Sequence, residues 1–572
     1  MPDAPSREGL KLKSQADIIV TNVHALTMDD TAAAAQAVAI AGDRIIAVGT
    51  SEGIDALRGE DTRIIDGEGA SLAPGFVEAH MHLFGGGAML KYCSVAGLKG
   101  ADAIRDRVRA YAARRRDDKV IYVKEADYDM LDGTPLDRHF LDSIVADRPL
   151  AFLAFDIHTM WANTAALEVT GLLQGKRLGP GNEIVMGPDG LATGELREVE
   201  AFGPINVYSG EFRSTLGLST GGEPDPAPTA EERAADRATL RTALDWCARH
   251  GITSIQNMDG NLYTLELLDE IRGEGDLICR VKVPFHFKNF MELDMLDKAS
   301  LMHKRYADDW LSSGLVKAFY DGVMEGYTGY MVDDYADRPG FRGEPLFTQD
   351  QFNALAIEAD KRGLQIAVHC CGDGAVRSVL DGYEAAAQAN GSRDARHRVE
   401  HIEVVHPDDI ERFKQLGAIA SMQPPHPPGV MDFPLEPGKT RIGAARWPLA
   451  YAWRTLKDAG AHVVFASDWP VARIDVLAGI HAAVTRKPWE NGLPDQSFTL
   501  PEALAAYTVE GAYAEHAEDR KGRIAPGYLA DLVLLTGDLE AVAADDIASL
   551  SVAMTICGGR ITYDAGQRMA PA

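Results

Sequence analysis

Residues 74–82 read Pro-Gly-Phe-Val-Glu-Ala-His-Met-His, a mostly apolar run that ends in two histidines. Such a run predicts a buried β-strand, in which successive side chains point to opposite faces of the sheet. His80 and His82 are two residues apart, so both would lie on one face and could bind one metal ion. An HxH pair alone is weak evidence, because two nearby histidines also occur as a polar strand edge. The rest of the chain decides between these interpretations.

The composition is that of an ordinary globular protein. The chain has 572 residues, 46% hydrophobic and 25% charged, and this length allows more than one domain. Its net charge of −28 argues against a nucleic-acid or anionic-membrane partner, because both attract basic surfaces. The expected partner is a small-molecule substrate, and the sequence leaves a homo-oligomer open.

Targeting signals and cysteine usage both favour the cytoplasm. Residues 1–17 are polar and lack the apolar core of a signal peptide. No run approaches the roughly 18 apolar residues of a membrane helix. The six cysteines form neither a CxxC motif nor a disulfide framework. We expect a cytoplasmic protein with reduced thiols.

Both ends of the chain are rich in short β-runs. Residues 17–68 contain β-branched segments and the sequence Ala41-Gly42-Asp43, which is typical of a hairpin turn. Residues 530–562 contain similar short β-runs. Two β-rich ends that flank one large middle predict a small composite β-sandwich built from both termini.

The middle of the chain alternates helices and strands. Four predicted helices each stop at a glycine that is followed by a β-run, at Gly251, Gly363, Gly417 and Gly460. Repeated βα units with near-continuous apolar strands predict a parallel sheet buried on both faces. Eight such strands would close a (β/α)₈ TIM barrel. The predicted strands are 74–80, 252–257, 281–287, 315–320, 364–369, 397–401, 418–422 and 462–467.

A long stretch separates the first two predicted strands. Residues 83–229 exceed one βα connection and carry helix and strand patterns of their own, so they predict an inserted substrate or lid subdomain.

The expected fold class of the chain is α/β. The predicted domains are the N-terminal segment of the β-sandwich at 1–70, barrel strand 1 at 71–82, the insertion at 83–229, the remaining barrel at 230–520 and the C-terminal segment of the β-sandwich at 521–572.

Metal-type ligands recur where the predicted strands end. In a barrel of this kind the chemistry lies at the C-terminal ends of the strands. Each such residue alone has a structural explanation, such as a core histidine or a helix cap, but their convergence on one rim predicts a metal site. The residues at these ends are His80, His82, Lys317, His369, His401 and Asp468.

Eight segments spread over nearly the whole chain form a recognisable set of motifs. They are PGFVEAHMH (74–82), DIHTMWANTAAL (156–167), GPDGLATGELRE (187–198), LVKAFYDG (315–322), AVHCCGDGAV (367–376), RHRVEHIE (396–403), ASDWPV (466–471) and KGRIAPGYLADLVLL (521–535). This set resembles the amidohydrolase superfamily, and most of all the branch that contains N-substituted formamide deformylase. The HxH pair together with ASDWP is highly specific for the superfamily, and the motifs inside the insertion point to the branch.

The resemblance implies a composite β-sandwich and a centre of two divalent ions, most often zinc. His80 and His82 would hold the first ion, and His369 and His401 the second. Asp468 would bind the first ion and act as the catalytic acid–base.

Lys317 would be a bridging ligand in such a centre. A free ammonium cannot bind a metal, so the resemblance implies a CO₂-derived carboxylate on its side-chain nitrogen. An unmodified Lys317 beside a single ion is the alternative.

The expected reaction is hydrolysis of a C–N bond in an amide, an N-substituted formamide or a cyclic amide. A divalent ion lowers the pKa of its bound water, so metal-bound hydroxide can attack the carbonyl carbon near pH 7. Asp468 would act first as general base and then as general acid toward the leaving nitrogen. Two alternatives stay open: an ester or lactone hydrolase on the same site, and a non-catalytic regulatory or binding relative.

Four further residues are candidates for substrate binding. His158 and Trp161 lie in an insertion motif and could line the pocket or pack in the core. Arg197 could reach the pocket or pair with Glu195, and His426 lies in a proline-rich loop that could cover the site.

Overall fold

The described part of the chain consists of many short strands and helices. The computed structural model describes residues 15–29, 35–210 and 223–566. Its strands are β1 (Ala16–Thr21), β2 (His24–Ala25), β3 (Ala37–Ala41), β4 (Arg44–Gly49), β5 (Arg58–Asp66), β6 (Ser71–Pro74), β7 (Phe76–Met81), β8 (Cys93–Ser94), β9 (Ile121–Ala126), β10 (Leu150–Ala154), β11 (Thr159–Ala162), β12 (Glu183–Met186), β13 (Ala192–Arg197), β14 (Ile252–Asn257), β15 (Arg280–Lys282), β16 (Phe285–His286), β17 (Leu311–Ser312), β18 (Leu315–Phe319), β19 (Gln365–Cys370), β20 (Arg398–His401), β21 (Ile419–Met422), β22 (His462–Phe465), β23 (Leu532–Leu535), β24 (Val552–Cys557) and β25 (Arg560–Asp564). Its α-helices are α1 (Ser51–Asp55), α2 (Leu83–Met89), α3 (Ala101–Ala112), α4 (Arg138–Ile144), α5 (Thr164–Val169), α6 (Val199–Ser209), α7 (Ala230–Arg249), α8 (Leu262–Gly273), α9 (Leu296–Arg305), α10 (Gln349–Lys361), α11 (Asp373–Asn390), α12 (Ile410–Leu416), α13 (Gly438–Ile442), α14 (Trp453–Asp458), α15 (Val476–Thr485), α16 (Leu500–Ala506) and α17 (Val509–Ala514).

The chain divides into two compact units. The first consists of Met1–Val77, Cys247–Ser254 and Leu504–Ala572, and the second of Glu78–Trp246 and Ile255–Ala503. Segments from both ends of the chain therefore belong to the same unit.

The first unit contains two sheets with a common apolar core. One sheet has the strand order β4-β3-β1-β5 and the other β2-β6-β23-β24-β25. Strands β3 and β4 form the expected antiparallel hairpin, and Gly42 supplies its left-handed turn with φ of 58°. Val20 and Val38 from the first sheet share one cluster with Leu72, Leu532 and Ile556 from the second. The two chain ends thus bury their apolar faces against each other.

Two further sheets, whose strands lie mostly in the second unit, contain parallel strand pairs. One sheet has the order β17-β15-β14-β7, and the other has the order β16-β18-β19-β20-β21-β22, in which all neighbours are parallel. Strands β18 to β22 are almost entirely buried, as expected for a sheet covered on both faces. The protein is therefore an α/β protein, and the coarse fold class predicted from the sequence is confirmed.

The segment between β7 and α7 has a sheet of its own within the second unit. Its order is β12-β13-β11-β10-β9-β8. Alternate residues face opposite sides, as the strand period requires. Phe152 and Trp161 pack in one apolar cluster, whereas Leu153 and Met160 pack in another. The end of the predicted insertion, at 211–222, lies outside the described residues.

Two strand boundaries differ from those expected. The segment 71–82 contains two strands, β6 in a sheet of the first unit and β7. The third predicted strand is divided into β15 and β16 at Val283-Pro284, because proline has no N–H for a ladder. The C-terminal segment of the first unit starts at Leu504, and its strands β23, β24 and β25 lie within 521–572.

Two general expectations can be compared with the structure. Among the described residues no helix combines the length and the apolar character needed to cross a bilayer. All six cysteines lie among the described residues and are buried thiols outside any disulfide.

Gly75, at the start of the segment that opened the sequence analysis, has no room for a side chain. A Cβ atom built there would lie 2.3 Å from Thr253 Oγ1 and 2.8 Å from Thr253 Cβ. We expect Gly75→Ala to cost about 1–3 kcal/mol of stability through overpacking, measured as a lower temperature of unfolding by scanning calorimetry.

Gly49→Ala is the matched control, because nothing lies within 4 Å of a Cβ at Gly49. Adding Thr253→Ala to Gly75→Ala should restore part of the loss, because it removes Oγ1 but keeps the Cβ at 2.8 Å. Equal unfolding temperatures for Gly75→Ala and Gly49→Ala would contradict the close packing.

Candidate metal centre

Three hydrogen bonds join the segment 78–82 to the segment that follows β22. The Asp468 N–H donates to the His80 carbonyl oxygen at 2.9 Å, and the His82 N–H donates to the Trp469 carbonyl oxygen at 2.7 Å. The Ser467 N–H donates to the buried Glu78 carboxylate at 2.6 Å. These bonds place the Asp468 side chain beside the two histidines of the HxH pair.

Asp468 lies at the centre of the cluster. Its Oδ1 is 3.4 Å from His80 Nε2 and 3.2 Å from His82 Nε2. Its Oδ2 is 3.8 Å from His401 Nδ1. His80, His401 and Asp468 each offer one ligand atom, and these atoms lie within 4.8 Å of one another. The ring of His369 is adjacent, with its centroid 4.3 Å from that of His401.

Three of these histidines use one ring nitrogen to bond an oxygen acceptor. His80 Nδ1 donates to Glu400 at 2.6 Å, His401 Nδ1 to the Gln423 side-chain oxygen at 3.0 Å, and His369 Nε2 to the Gly322 carbonyl at 3.0 Å. Such partners fix the tautomer and orient the other nitrogen, as in most histidine-bound metal sites. The nitrogens left for a metal are therefore His80 Nε2, His401 Nε2 and His369 Nδ1.

Several polar atoms here are buried without a partner. His80 Nε2, Asp468 Oδ1 and Lys317 Nζ have no hydrogen bond in the described part of the chain. A buried polar group that is left unpaired costs roughly 1–3 kcal/mol or more. Imidazole nitrogens and a carboxylate oxygen are the donor set of a zinc-type ion, so these residues fit a metal.

Burial and neighbouring charges shift the pKa values of several candidate ligands. Burial opposes ionisation of Asp468, but the neighbouring His80 and His82 hold the pKa of this carboxyl well below its usual range. Burial lowers the pKa of His80 to about 4, so its imidazole is neutral and able to bind a metal. Burial also lowers the pKa of the Lys317 ammonium to about 8.

A second group of potential ligands, Asp321, His369 and Cys371, is already used by the fold. Their ligand atoms also lie within 4.8 Å of one another. Asp321 accepts the backbone N–H groups of Tyr330, Cys371 and Gly372 at 2.8–3.0 Å. His369 Nε2 is bonded to Gly322. We therefore interpret this group as support for the loop after β18.

Arg398 and Glu400 form a buried layer behind His80 that the sequence analysis missed. Arg398 Nε donates to Glu400 at 2.7 Å, and its Nη2 donates to the Ala79 carbonyl at 2.7 Å. Burial alone would raise the pKa of Glu400, but Arg398 and His80 lower it strongly. The alternation Arg398-x-Glu400 within the strand next to His401 was the available signal.

A cavity of about 210 Å³ opens beside these residues. His82, His369, His401 and Asp468 line it on one side. Much of the remaining wall is apolar and includes Met89, Ile157, Phe287, Phe319, Leu346 and Phe347. It can hold a small substrate with an apolar group.

Only one of the four predicted substrate-binding residues lines this cavity. His158 does so, and Glu198, a residue that the sequence analysis did not single out, lines it as well. Burial alone would lower the pKa of His158, but the Glu198 carboxylate raises it to about 9.

The other three residues lie elsewhere. Trp161 packs edge-on against Tyr128, with ring centroids 5.0 Å apart. Arg197 pairs with Glu195 at 2.7 Å. His426 is buried, with its ring stacked on Phe433 at 4.7 Å.

The chain belongs to the Amidohydrolase family, whose model matches residues 63–563. Protein LONG AFTER FAR-RED 3 of Arabidopsis thaliana is 28% identical, and the match covers 96% of this chain and 92% of that protein. N-substituted formamide deformylase of Arthrobacter pascens is 25% identical, with 96% and 98% covered. The resemblance to the superfamily and to the branch that contains this deformylase is confirmed.

Solved structures agree with this assignment. An uncharacterized metal-dependent hydrolase from Pyrococcus furiosus is 25% identical with a TM-score of 0.65, and the match covers 90% of this chain and 97% of that structure. Atrazine chlorohydrolase TrzN from Arthrobacter aurescens TC1, complexed with zinc, has a TM-score of 0.51 at 14% identity, with 96% and 95% covered. The second likeness concerns the fold alone.

Glu400 gives a direct test of the layer behind His80. Glu400→Gln should keep the shape of the side chain but weaken its hydrogen bond with His80 Nδ1. Loss of such an outer partner typically costs 10–100-fold in metal affinity. We expect a loss of this size in zinc affinity, measured by competition with a chelating dye.

Glu411→Gln is the control, since it removes an exposed carboxylate from helix α12. Unchanged zinc affinity in Glu400→Gln would show that the Glu400 carboxylate does not support His80 as a ligand.

Proposed function

We propose that this protein is a metal-dependent hydrolase that cleaves a C–N bond in a small amide, N-substituted formamide or cyclic amide. The observation that carries the proposal is the set of unpaired buried atoms of His80, Lys317 and Asp468 beside an apolar cavity. Membership of the Amidohydrolase family supports the reaction class. The deformylase relative supports formamides as the first substrates to test.

The proposed cofactor is a pair of divalent ions, with zinc as the first candidate. His80, His82 and Asp468 would hold one ion, and His369 and His401 the other. Neutral imidazoles and a carboxylate suit zinc, and TrzN, which has a similar fold, is complexed with zinc. The tautomers that Glu400, Gln423 and Gly322 favour leave one nitrogen on each of three histidines for this role.

Lys317 is proposed to carry a carboxylate on Nζ and to bridge the two ions. The side chain is fully buried, and Nζ has no hydrogen-bond partner among the described residues. An isolated ammonium in this position would be costly. Carboxylation would replace the cation with oxygen ligands.

The residues of the chain account for the proton transfers. When bound, divalent ions polarise a substrate carbonyl and lower the pKa of coordinated water. The ionised Asp468 carboxylate would accept a proton from the attacking water and return it to the leaving nitrogen. This second transfer matters because an amine is a poor leaving group until it is protonated. The apolar cavity wall would exclude other water from the reacting bond.

We also propose that the parallel strands of the second unit, with β7, close into the (β/α)₈ barrel expected from the sequence. The hydrogen bonds from Asp468 to His80 and from His82 to Trp469 support closure between the last strand and the first. In such a barrel the six proposed ligands would share the C-terminal rim.

Metal content tests the proposed centre. Purified protein reconstituted with zinc should hold about two ions per chain by elemental mass spectrometry, as in other two-metal hydrolases. Both His80→Ala and Lys317→Ala should lower this number. Less than about one bound ion in the wild type, with no loss in His80→Ala, would contradict the proposal.

Turnover tests the reaction. Metal-loaded enzyme should hydrolyse at least one member of a panel of N-alkyl and N-aryl formamides, N-acyl amines and lactams, assayed by the release of amine. Asp468→Asn should lose at least about 10²-fold in kcat, the usual scale for a general acid–base. Turnover of esters or lactones alone would replace the C–N assignment, and no turnover of any substrate would favour a non-catalytic role.

A further inference from the structure

A lysine lies in the part of the cavity wall that opens to solvent. Among the described residues that line the cavity, Lys288 is the one lysine or arginine. It lies two residues after the end of strand β16, in the same sheet as β18 and β19. Lys288 is half-buried, and the next lining residue, Asn289, is exposed. A ligand entering the cavity from solvent therefore meets the side chain of Lys288.

The ring of Phe319 lies beside both Lys288 and a proposed metal ligand. Lys288 Nζ is 5.5 Å from the centroid of this ring, and the His369 centroid is 4.7 Å from it. The Phe287 N–H donates to the Lys317 carbonyl oxygen at 2.8 Å, which fixes the backbone before Lys288 against β18. A small molecule whose amide lies at the proposed ligands can therefore bring a second group to the ammonium of Lys288.

Lys288 has no counter-ion in the described part of the chain. Neither an ion pair nor a hydrogen bond joins its Nζ to another residue there. Its contact with the face of Phe319 is a cation–π interaction, which leaves ammonium hydrogens available for a ligand. Burial, and to a smaller extent the charge of Lys317, lowers the pKa of Lys288 to about 7, as expected for a cation without a negative partner.

The carboxylates of the cavity wall do not neutralise Lys288. Those that line the cavity are Asp156, Glu198, Asp321, Glu344 and Asp468. Asp156, Glu198 and Asp321 accept hydrogen bonds from other protein groups at 2.7–3.0 Å. Asp468 belongs to the proposed metal centre, and Glu344 is exposed to solvent. The ammonium is therefore the group of this wall that lacks a partner of opposite charge.

Aromatic side chains accompany this charge along the wall. Phe287 and Phe319 flank Lys288 in sequence and in space, and Phe347 also lines the cavity. The cavity thus combines an apolar surface with one cation. In the proposed formamide substrates the acyl group is a single carbon, so an apolar part and a charged part both belong to the N-substituent.

We propose that the substrate is a formamide whose N-substituent carries a carboxylate, and that Lys288 binds this carboxylate. The aromatic side chains pack against the apolar part of the same substituent. Lys288 determines specificity and takes no part in the proton transfers. This inference rests on the proposed hydrolase function and names its substrate class, the formamido carboxylic acids.

Matched substrate pairs test the charge. The zinc-loaded full chain is assayed for formate release from N-formylphenylalanine, N-formyl-3-amino-3-phenylpropionate and N-formyl-4-(aminomethyl)benzoate, which place the carboxylate at increasing distances from the formamide. Each is compared with its primary carboxamide, which has a similar shape and no charge. Because hydrogen bonds to charged groups are strong, we expect at least one carboxylate to exceed its carboxamide by about tenfold or more in kcat/KM. No such preference in any of the three pairs overturns the proposal.

Variants of Lys288 test the residue itself. For the preferred carboxylate, Lys288→Met should lower kcat/KM by about 10–100-fold, mainly through KM, and should change kcat/KM for the carboxamide by less than about threefold. Lys288→Arg keeps a charge at any assay pH and should retain most of the preference. Lys361→Met is the matched control, because it makes the same change at an exposed lysine of α10. An equal loss for carboxylate and carboxamide in Lys288→Met indicates a structural role and overturns the proposal.

A binding measurement tests the same contact without turnover. The probes are 3-phenylpropionate and its neutral analogue 3-phenylpropanol, titrated into the zinc-loaded full chain by isothermal titration calorimetry. We expect Lys288→Met to bind 3-phenylpropionate at least about tenfold more weakly than wild type and Lys361→Met, with unchanged zinc content and unchanged binding of the alcohol. Equal affinity for 3-phenylpropionate in Lys288→Met, or no binding to wild type, overturns the proposal. Failure of every hydrolysis assay with the expected binding difference would instead contradict the hydrolase function alone.

Discussion

The candidate centre depends on the hydrogen bonds between residues 78–82 and residues 467–469. They connect segments that are nearly 400 positions apart in sequence, as the Ser467–Glu78 bond illustrates with a separation of 389. Because the Asp468 N–H is bonded to the His80 carbonyl, the aspartate cannot move away from the two histidines without breaking a backbone hydrogen bond. Asp468 accepts a left-handed φ of 58° to make this contact. Backbone hydrogen bonds, as well as side-chain contacts, therefore bring the proposed ligands together.

A second layer makes such a charged cluster tolerable in the interior. Arg398 is fully buried, yet its guanidinium bonds Glu400, the Ala79 carbonyl and Ser421. Glu400 in turn accepts from His80. Each ion is offset by a partner, which is the condition for burying charge. The layer orients His80 and leaves its Nε2 without a hydrogen bond among the described residues.

The sequence identified the strand-end ligands because their signal is local. The period of two in β-strands placed His80 and His82 on one face, and glycines after helices marked the starts of later strands. The sequence could not decide which candidates from the insertion reach the cavity. Trp161 and Arg197 lie on adjacent strands of one sheet, and the face that meets the cavity depends on packing. Glu198 was missed because its partner His158 is 40 positions away and no local pattern links them.

The composition of the first unit has a consequence for how the protein is made. Its core joins Val38 and Leu72 to Leu532 and Ile556, so the early strands leave the ribosome long before their partners exist. At roughly 5–20 residues per second, that interval lasts tens of seconds. During this interval the apolar faces of β1, β3 and β6 lack the C-terminal strands that complete their core. Nascent chains of this protein therefore carry these apolar strands without their C-terminal partners for most of translation.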